Sequence, residues 1–355
     1  MGKSSIRIKD IAKLVGVSVG TVDRVIHNRG EVSQESYKKI MAALEQTGYK
    51  PNLIARTLGS NKTYRISALV PDPRQDEYWK FSDNGLQGAI EEWHQYGVFI
   101  EPCYFDLYSK ESFKKQADTV LDAAPDGILT APVFHQEALE FFDRCREREI
   151  PFVLFNNNIV EAKALTFVGQ DLYASGRLGG ELLQMGQRSP GTFAILHIYD
   201  DVHSSLHLSE KERGFKDYFA NQQHDQFKVV SLDLSAPDEA EIQQPVTALL
   251  EDPALKGILV TTSKGASIVS ALLEKHGKNN IRLVAYDLLE KNLAYLRRGT
   301  IDFLINQNSK KQAFLSVSKL VNYLLFKKAM PATHLFPLEI ISRQNLDSYL
   351  ASANL

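Results

Sequence analysis

Between Ile8 and Ile26 the apolar residues return with helical spacing. Ile8, Ile11, Ala12 and Val15 fall at i, i+3, i+4 and i+7, Gly16 breaks the run, and Val22, Val25 and Ile26 form a second stripe behind Ser18. Ser18 is a good N-cap, so the pattern predicts two short helices joined by a tight turn, with Ala12 small where they cross and Val17 filling the corner. A third helix fits Ser33 to Thr47, with Ile40, Met41 and Leu44 as its apolar face and Gly48 as its stop. Two helices around a glycine-containing turn make a helix-turn-helix, whose second helix can enter the major groove of DNA; the same spacing also serves an ordinary helical hairpin.

From Tyr64 onward the period changes. Short apolar runs alternate with helical patterns: strand Ile66–Val70, helix Asn84–Tyr96, strand Val98–Phe105, helix Ser112–Ala123, strand Gly127–Thr130, helix Gln136–Arg148 and strand Pro151–Phe155. After Phe167-Val168-Gly169 the rhythm restarts, with helix Tyr173–Met185, strand Phe193–Ile198, helix Glu212–Ala220, strand Lys228–Leu232, helix Glu239–Leu250, strand Gly257–Val260, helix Ala266–Lys275 and strand Arg282–Ala285. Such alternation argues for parallel sheets covered by helices, and the restart for two doubly wound lobes with a ligand cleft at the carboxyl ends of their strands. The fold class is therefore α/β, an all-α helix-turn-helix head followed by two parallel-sheet lobes.

Charge sharpens the division. Residues 1–60 hold ten Lys or Arg against five Asp or Glu, a balance of +5, while the remainder holds 31 against 38, a balance of −7. A basic head on an acidic body is the asymmetry expected when only the head meets phosphate. Two cysteines, Cys103 and Cys145, make no disulfide framework. The first residues lack the apolar run of a signal peptide and no stretch is long enough to span a membrane, so a cytoplasmic protein without membrane contact is expected. Neither a dinucleotide fingerprint nor a P-loop occurs, and the Gly-x-Ser-x-Gly of residues 16–20 falls in the turn between two predicted helices rather than after a strand, so no cofactor and no catalytic chemistry are expected. His203 and His207 stand four apart, but no Glu sits beside either and no Cys is nearby, and we expect no metal there; His207 reads instead as a cleft-rim residue.

Fixed spacing over nearly sixty residues carries a resemblance. Ile11-Ala12, Gly16-Val17-Ser18, Thr21-Val22, Arg24-Val25, Val32-Ser33, Gly48-Tyr49, Pro51-Asn52, Ala55 and Leu58 together resemble the lactose-repressor family of transcription regulators. The body resembles the periplasmic sugar-binding fold that forms the effector domain in that family, most clearly at Pro151-Phe152-Val153, Gly169-Gln170-Asp171, Arg213-Gly214-Phe215, Ala285-Tyr286-Asp287 and Ile305-Asn306-Gln307. The resemblance implies a DNA-binding head over 1–50, a hinge helix and linker over 51–62, and an effector and dimerisation domain over 63–355. In that fold the chain crosses between lobes three times, expected here near 164–166, 304–307 and 332–334. Lobe 1 would take 63–165 and 306–333, lobe 2 166–305 and 334–355.

The family reads its operator mainly with the two residues before the Thr-Val pair and the Arg two beyond it, here Val19, Gly20 and Arg24. Arg24 can grip guanine O6 and N7 in a fork, Val19 can touch only a thymine methyl, and Gly20 reads nothing directly. Ser18, Thr21, His27, Asn28 and Arg29 are candidate phosphate contacts. Asn52, Ala55 and Leu58 fall in the hinge helix, where Leu58 takes the place of the leucine wedge that kinks the minor groove. In the effector cleft the resemblance points to Asp76, Tyr78, Trp79, Asn156, Asn157, Lys211, Thr262, Asp287 and Gln307, beside the rim residue His207. Lys211 stands where the fold normally has Arg, and Thr262-Ser263 where Asn-Asp is usual, so anchoring of a ring oxygen or carboxylate should differ. Aromatic faces suit the C–H face of a sugar, and amides and carboxylates its hydroxyls, which makes a sugar or sugar acid the expected effector.

These features imply a homodimeric repressor on a pseudo-palindromic operator. Two readings stay open beside it: a regulator that binds DNA better, or activates, with effector bound, and a sugar receptor or sugar-converting enzyme with a vestigial head.

Overall fold

The computed structural model describes residues 8–26, 30, 32–47, 62–199, 206–221, 226–235 and 238–353. Among the described residues three helices open the chain: α1 (Ile8–Val15), α2 (Val19–Ile26) and α3 (Gln34–Thr47). They close on one core of Ile11, Ala12, Val22, Val25, Ile40 and Ala43, with Val17 packed against it. Gly16 turns the chain between the first two helices at φ +71°, a left-handed conformation that glycine reaches without a Cβ penalty. The Val17 amide then donates to the Ala12 carbonyl at 3.0 Å. Met41 was expected in the core but is 44% exposed; Ala43, three residues after Ile40, takes the inward place.

The body begins with β1 (Tyr64–Pro71), α4 (Glu77–His94), β2 (Val98–Phe105), α5 (Lys110–Asp122), β3 (Gly127–Thr130), α6 (His135–Glu147), β4 (Phe152–Phe155) and β5 (Thr166–Gly169). It continues with α7 (Leu172–Gln184), β6 (Gly191–Ile198), α8 (Leu206–Asn221), β7 (Phe227–Leu234), α9 (Glu239–Leu250), β8 (Leu255–Val260), α10 (Gly265–Lys275), β9 (Arg282–Tyr286), α11 (Glu290–Arg298) and β10 (Phe303–Asn306). Last come α12 (Ser309–Phe326), β11 (Thr333–Leu335), β12 (Glu339–Ile341) and α13 (Leu346–Ala353).

The strands form two six-stranded sheets, ordered β11-β5-β4-β3-β1-β2 and β12-β10-β9-β8-β6-β7. Every pairing is parallel except that of β12 with β10. Apolar clusters cover both faces of each sheet, which is why the central strands read as unbroken apolar runs rather than alternating ones.

Lobe boundaries differ from the expectation. β5 pairs with β4 (Val153 with Thr166) and with β11 (Phe167 with Thr333), so both belong to the first sheet. The chain therefore passes between lobes at 170–171, 307–308 and 336–338, a few residues later than its sequence suggested. Gln170 sits in the first passage, 3% exposed, and its Nε2 donates to the carbonyls of Asn306 (2.9 Å) and Pro337 (2.8 Å). One side chain thus ties the three passages together.

Within the second lobe, α7 and α8 touch backbone to backbone. A Cβ on Gly176 would stand 1.9 Å from the Lys211 carbonyl oxygen, and one on Gly214 2.0 Å from that of Tyr173. These two glycines set how deeply α8 lies against α7, and with it where Lys211 stands.

Candidate effector cleft and nucleic-acid face

On the head, Ser18 caps α2: its Oγ accepts from the Thr21 amide at 3.1 Å and shares a hydrogen bond with Thr21 Oγ1 at 2.9 Å. Both hydroxyls are engaged in holding the helix start. Val22 and Val25 are buried, which turns Val19, Gly20 and Arg24 outward; all three are exposed, and Thr21 is half-buried. His27, Asn28, Arg29, Asn52, Ala55 and Leu58 lie outside the described residues.

Between the lobes is a cavity of about 120 Å³. Asp76, Tyr78, Trp79, Asn156, Asn157, His207, Lys211, Thr262 and Gln307, all singled out by sequence, line it together. Asp76 and its neighbours form the first turn of α4, which begins seven residues before the sequence pattern placed it. Asp76 is the N-cap, its Oδ1 accepting from the Tyr78 amide at 2.8 Å. Tyr78 donates its hydroxyl to Asn156 Oδ1 at 3.1 Å. Trp79 packs edge-on against Tyr78 and Phe155, with ring centres 5.3 and 6.3 Å away. Asn157 donates its amide to the Pro132 carbonyl at 3.2 Å.

The second lobe supplies the charge. Lys211 is 1% exposed, its Nζ 3.6 Å from the centre of the Tyr286 ring and 3.2 Å from the Thr261 carbonyl oxygen. Burial, then the nearby charges of Lys211 and His197, push His207 down to about 3, so its imidazole is neutral at physiological pH. Thr262 lines the cavity, while its Oγ1 is buried with no hydrogen-bond partner among the described residues. His203 lies outside the described residues.

Asp287 was expected to face the ligand and does not line the cavity. Its Oδ1 accepts from the Gln307 amide, and its Oδ2 from Gln307 Nε2 at 2.7 Å and from the Ser263 hydroxyl. Burial pushes its carboxyl up, opposed by those hydrogen bonds and by Lys211. Its observed contacts position Gln307 and Ser263, two wall residues.

Among the lining residues that the sequence reading missed are Lys264, Tyr108 and Tyr199. Lys264 reaches from the second lobe to the first, its Nζ 2.8 Å from Asp76 Oδ2, 3.2 Å from Tyr108 Oη and 3.3 Å from the Gln75 carbonyl. Tyr108 follows β2 and Tyr199 follows β6, at the strand ends where ligands gather in open α/β sheets. Asn156, Tyr199 and Asp287, each just past a strand, all have positive φ, at 66°, 70° and 65°. For a residue as bulky as tyrosine this costs on the order of 1–3 kcal/mol, and such strain concentrates at functional sites.

Comparison with known proteins agrees with this architecture. Residues 67–328 match the periplasmic binding protein domain family, and residues 7–52 match the bacterial regulatory proteins of the lacI family. The chain is 26% identical to the ribose operon repressor of Halalkalibacterium halodurans over 79% of its own length and 80% of that protein's. It is 32% identical to the HTH-type transcriptional regulator RegA of Clostridium acetobutylicum, over 41% of this chain and 42% of RegA, so the match spans about two fifths of that relative. A crystal structure of a protein described as a LacI transcriptional regulator from Bacteroides fragilis superposes with a TM-score of 0.75 at 27% identity, covering 81% of this chain and all of the other. Among the described residues no helix is long and apolar enough to cross a membrane.

Proposed function

The chain belongs to the lacI family of bacterial regulatory proteins, with a periplasmic binding protein domain as its body, and from that premise we propose that it is a sequence-specific transcriptional repressor controlled by a sugar-like effector. It works in the cytoplasm by binding rather than catalysis, as a homodimer whose two heads meet the two halves of a pseudo-palindromic operator. The observation that carries the reading is the union, in one chain, of an outward-facing Val19-Gly20-Arg24 surface with a polar cavity between two lobes.

Arg24 reads guanine in the major groove and Val19 a thymine methyl, while Ser18 and Thr21 fix the start of the reading helix. Effector bound in the cleft rotates one lobe against the other about the passages that Gln170 ties together. The first lobe is continuous with residue 62, so this rotation reaches the segment that joins it to the head. Leu58 in that segment is the wedge whose place on DNA the rotation controls.

Selection of duplexes from a random library by the full-length chain tests the reading. We expect enrichment of a two-fold-related site with a guanine at the position lost when Arg24 is removed. Recovery of no preferred sequence would overturn it.

A further inference from the structure

The cleft has two chambers. Beside the 120 Å³ inner cavity just described opens a second, outer one of about 630 Å³, and the two share Tyr108, Tyr199 and Lys264 as their common wall. At roughly 10–15 Å³ per water-sized group, the inner chamber takes about ten such groups, the size of one pyranose ring with its hydroxyls. It has no room for two.

The outer chamber is built for an uncharged, hydroxyl-rich unit. Its cations, Lys264 and Lys291, are matched by the carboxylates of Glu77 and Glu239, which leaves no net charge to recruit a carboxylate or phosphate. Lys264 is already paired with Asp76, and Glu77 already accepts from the Glu290 amide at 3.1 Å. Tyr108 is 61% exposed, an aromatic ring left in water beside a polar hollow. Aromatic rings stack on the C–H face of sugars, and tyrosine adds a hydroxyl that hydrogen-bonds at the ring edge. Asn292, in the outer wall and 1% exposed, keeps Oδ1 buried with no hydrogen-bond partner among the described residues, as Thr262 Oγ1 does in the inner one.

We propose that the effector is a neutral disaccharide or glycoside, one ring in the inner chamber and the second in the outer chamber against Tyr108 and Tyr199, with the linkage passing Lys264. This rests on the reading of the cleft as a sugar site and adds the length and charge of the ligand.

The test is calorimetric titration of the full-length chain with glucose, galactose, fructose and ribose, with maltose, sucrose, lactose and cellobiose, and with glucuronate and glucose 6-phosphate. A disaccharide should bind at least tenfold more tightly than either of its component monosaccharides, and than the charged sugars. Ser267→Phe, which fills the outer chamber from a residue that does not line the inner one, should remove that advantage while the monosaccharide still binds. Lys291→Tyr, on the exposed rim, repeats the block should the first variant fold poorly. A monosaccharide or a sugar acid binding best, or the advantage surviving both variants, overturns the two-ring proposal and leaves the sugar site standing. Binding of none of these compounds overturns both.

Discussion

Gly176→Ala adds one methyl group where α7 meets α8, and the structure allows its cost to be estimated. The new Cβ would lie 1.9 Å from the Lys211 carbonyl oxygen and 2.7 Å from the carbonyl carbon, against an ordinary contact of 3.4 Å or more. Both groups are backbone, so no rotamer change relieves the clash, and the helices must part by about 1.5 Å. Overpacking of this kind costs about 1–3 kcal/mol, and the absence of a flexible neighbour places it at the upper end. Alanine returns about 1 kcal/mol through its better helix propensity. The clash wins, and the net loss is about 2 kcal/mol, or roughly 4–8 °C of melting temperature at about 2–4 °C per kcal/mol for a domain of this size.

Gly88→Ala is the control. It also lies inside a helix, α4, but its Cβ would meet nothing closer than 3.8 Å, so only the propensity gain remains and the chain should melt a few degrees higher. Differential scanning calorimetry of both variants makes the comparison. Because Lys211 rides on the displaced segment, Gly176→Ala should also lose the stabilisation that sugar confers. A Gly176→Ala protein that melts at or above the wild type would refute the argument that backbone contact between α7 and α8 sets the second wall of the cleft.

Arg24→Ala should cost about 1–3 kcal/mol of affinity for the selected operator and relax its preference at one position per half-site, measured by fluorescence anisotropy; an equal loss on random DNA would make Arg24 a phosphate contact only. Gln170→Ala removes both hydrogen bonds that tie the passages, and should cost roughly 1–3 kcal/mol in urea denaturation; an unchanged midpoint would remove Gln170 from the hinge. His207 is held far below its usual range, near 3, so the unfolded chain takes up its proton first as pH falls. Its contribution is complete above about pH 6.5 and declines as pH falls toward 3, and His207→Gln should flatten the acid side of the stability profile; identical profiles for both proteins would contradict this.

The three-helix head was legible because its core depends on local spacing: Ile11, Ala12, Val22 and Val25 fall where helical periodicity puts them. Met41 failed because a stripe drawn through consecutive residues ignores the 100° turn between them, and Ala43 lies closer to the direction of Ile40. Strands buried on both faces announced themselves as apolar runs. Thr333–Leu335 and Glu339–Ile341 did not, being three residues long and half exposed at sheet edges. β5 was misplaced because pairing partners are long-range, and nothing in Thr-Phe-Val-Gly states which sheet it joins. In the cleft, the family resemblance pointed to Tyr78, Asn156, Lys211 and Gln307, which line one cavity. It could not show that Asp287 gives both its oxygens to Gln307 and Ser263, because a carboxylate's partners are set by the fold. Lys264, Tyr108 and Tyr199 were within reach, since each follows the carboxyl end of a strand.

On the proposed reading, one cleft and one DNA-reading face share an equilibrium. It is tested by titrating the most tightly bound sugar of the panel into the full-length chain twice, alone and saturated with the selected operator duplex, and then titrating operator with and without that sugar. Linkage requires the two affinities to change by the same factor, of the order of 5–150-fold for a coupling of 1–3 kcal/mol. Equal, reciprocal changes are the predicted result. A sugar affinity that operator leaves untouched would separate the cleft from the head and contradict the account.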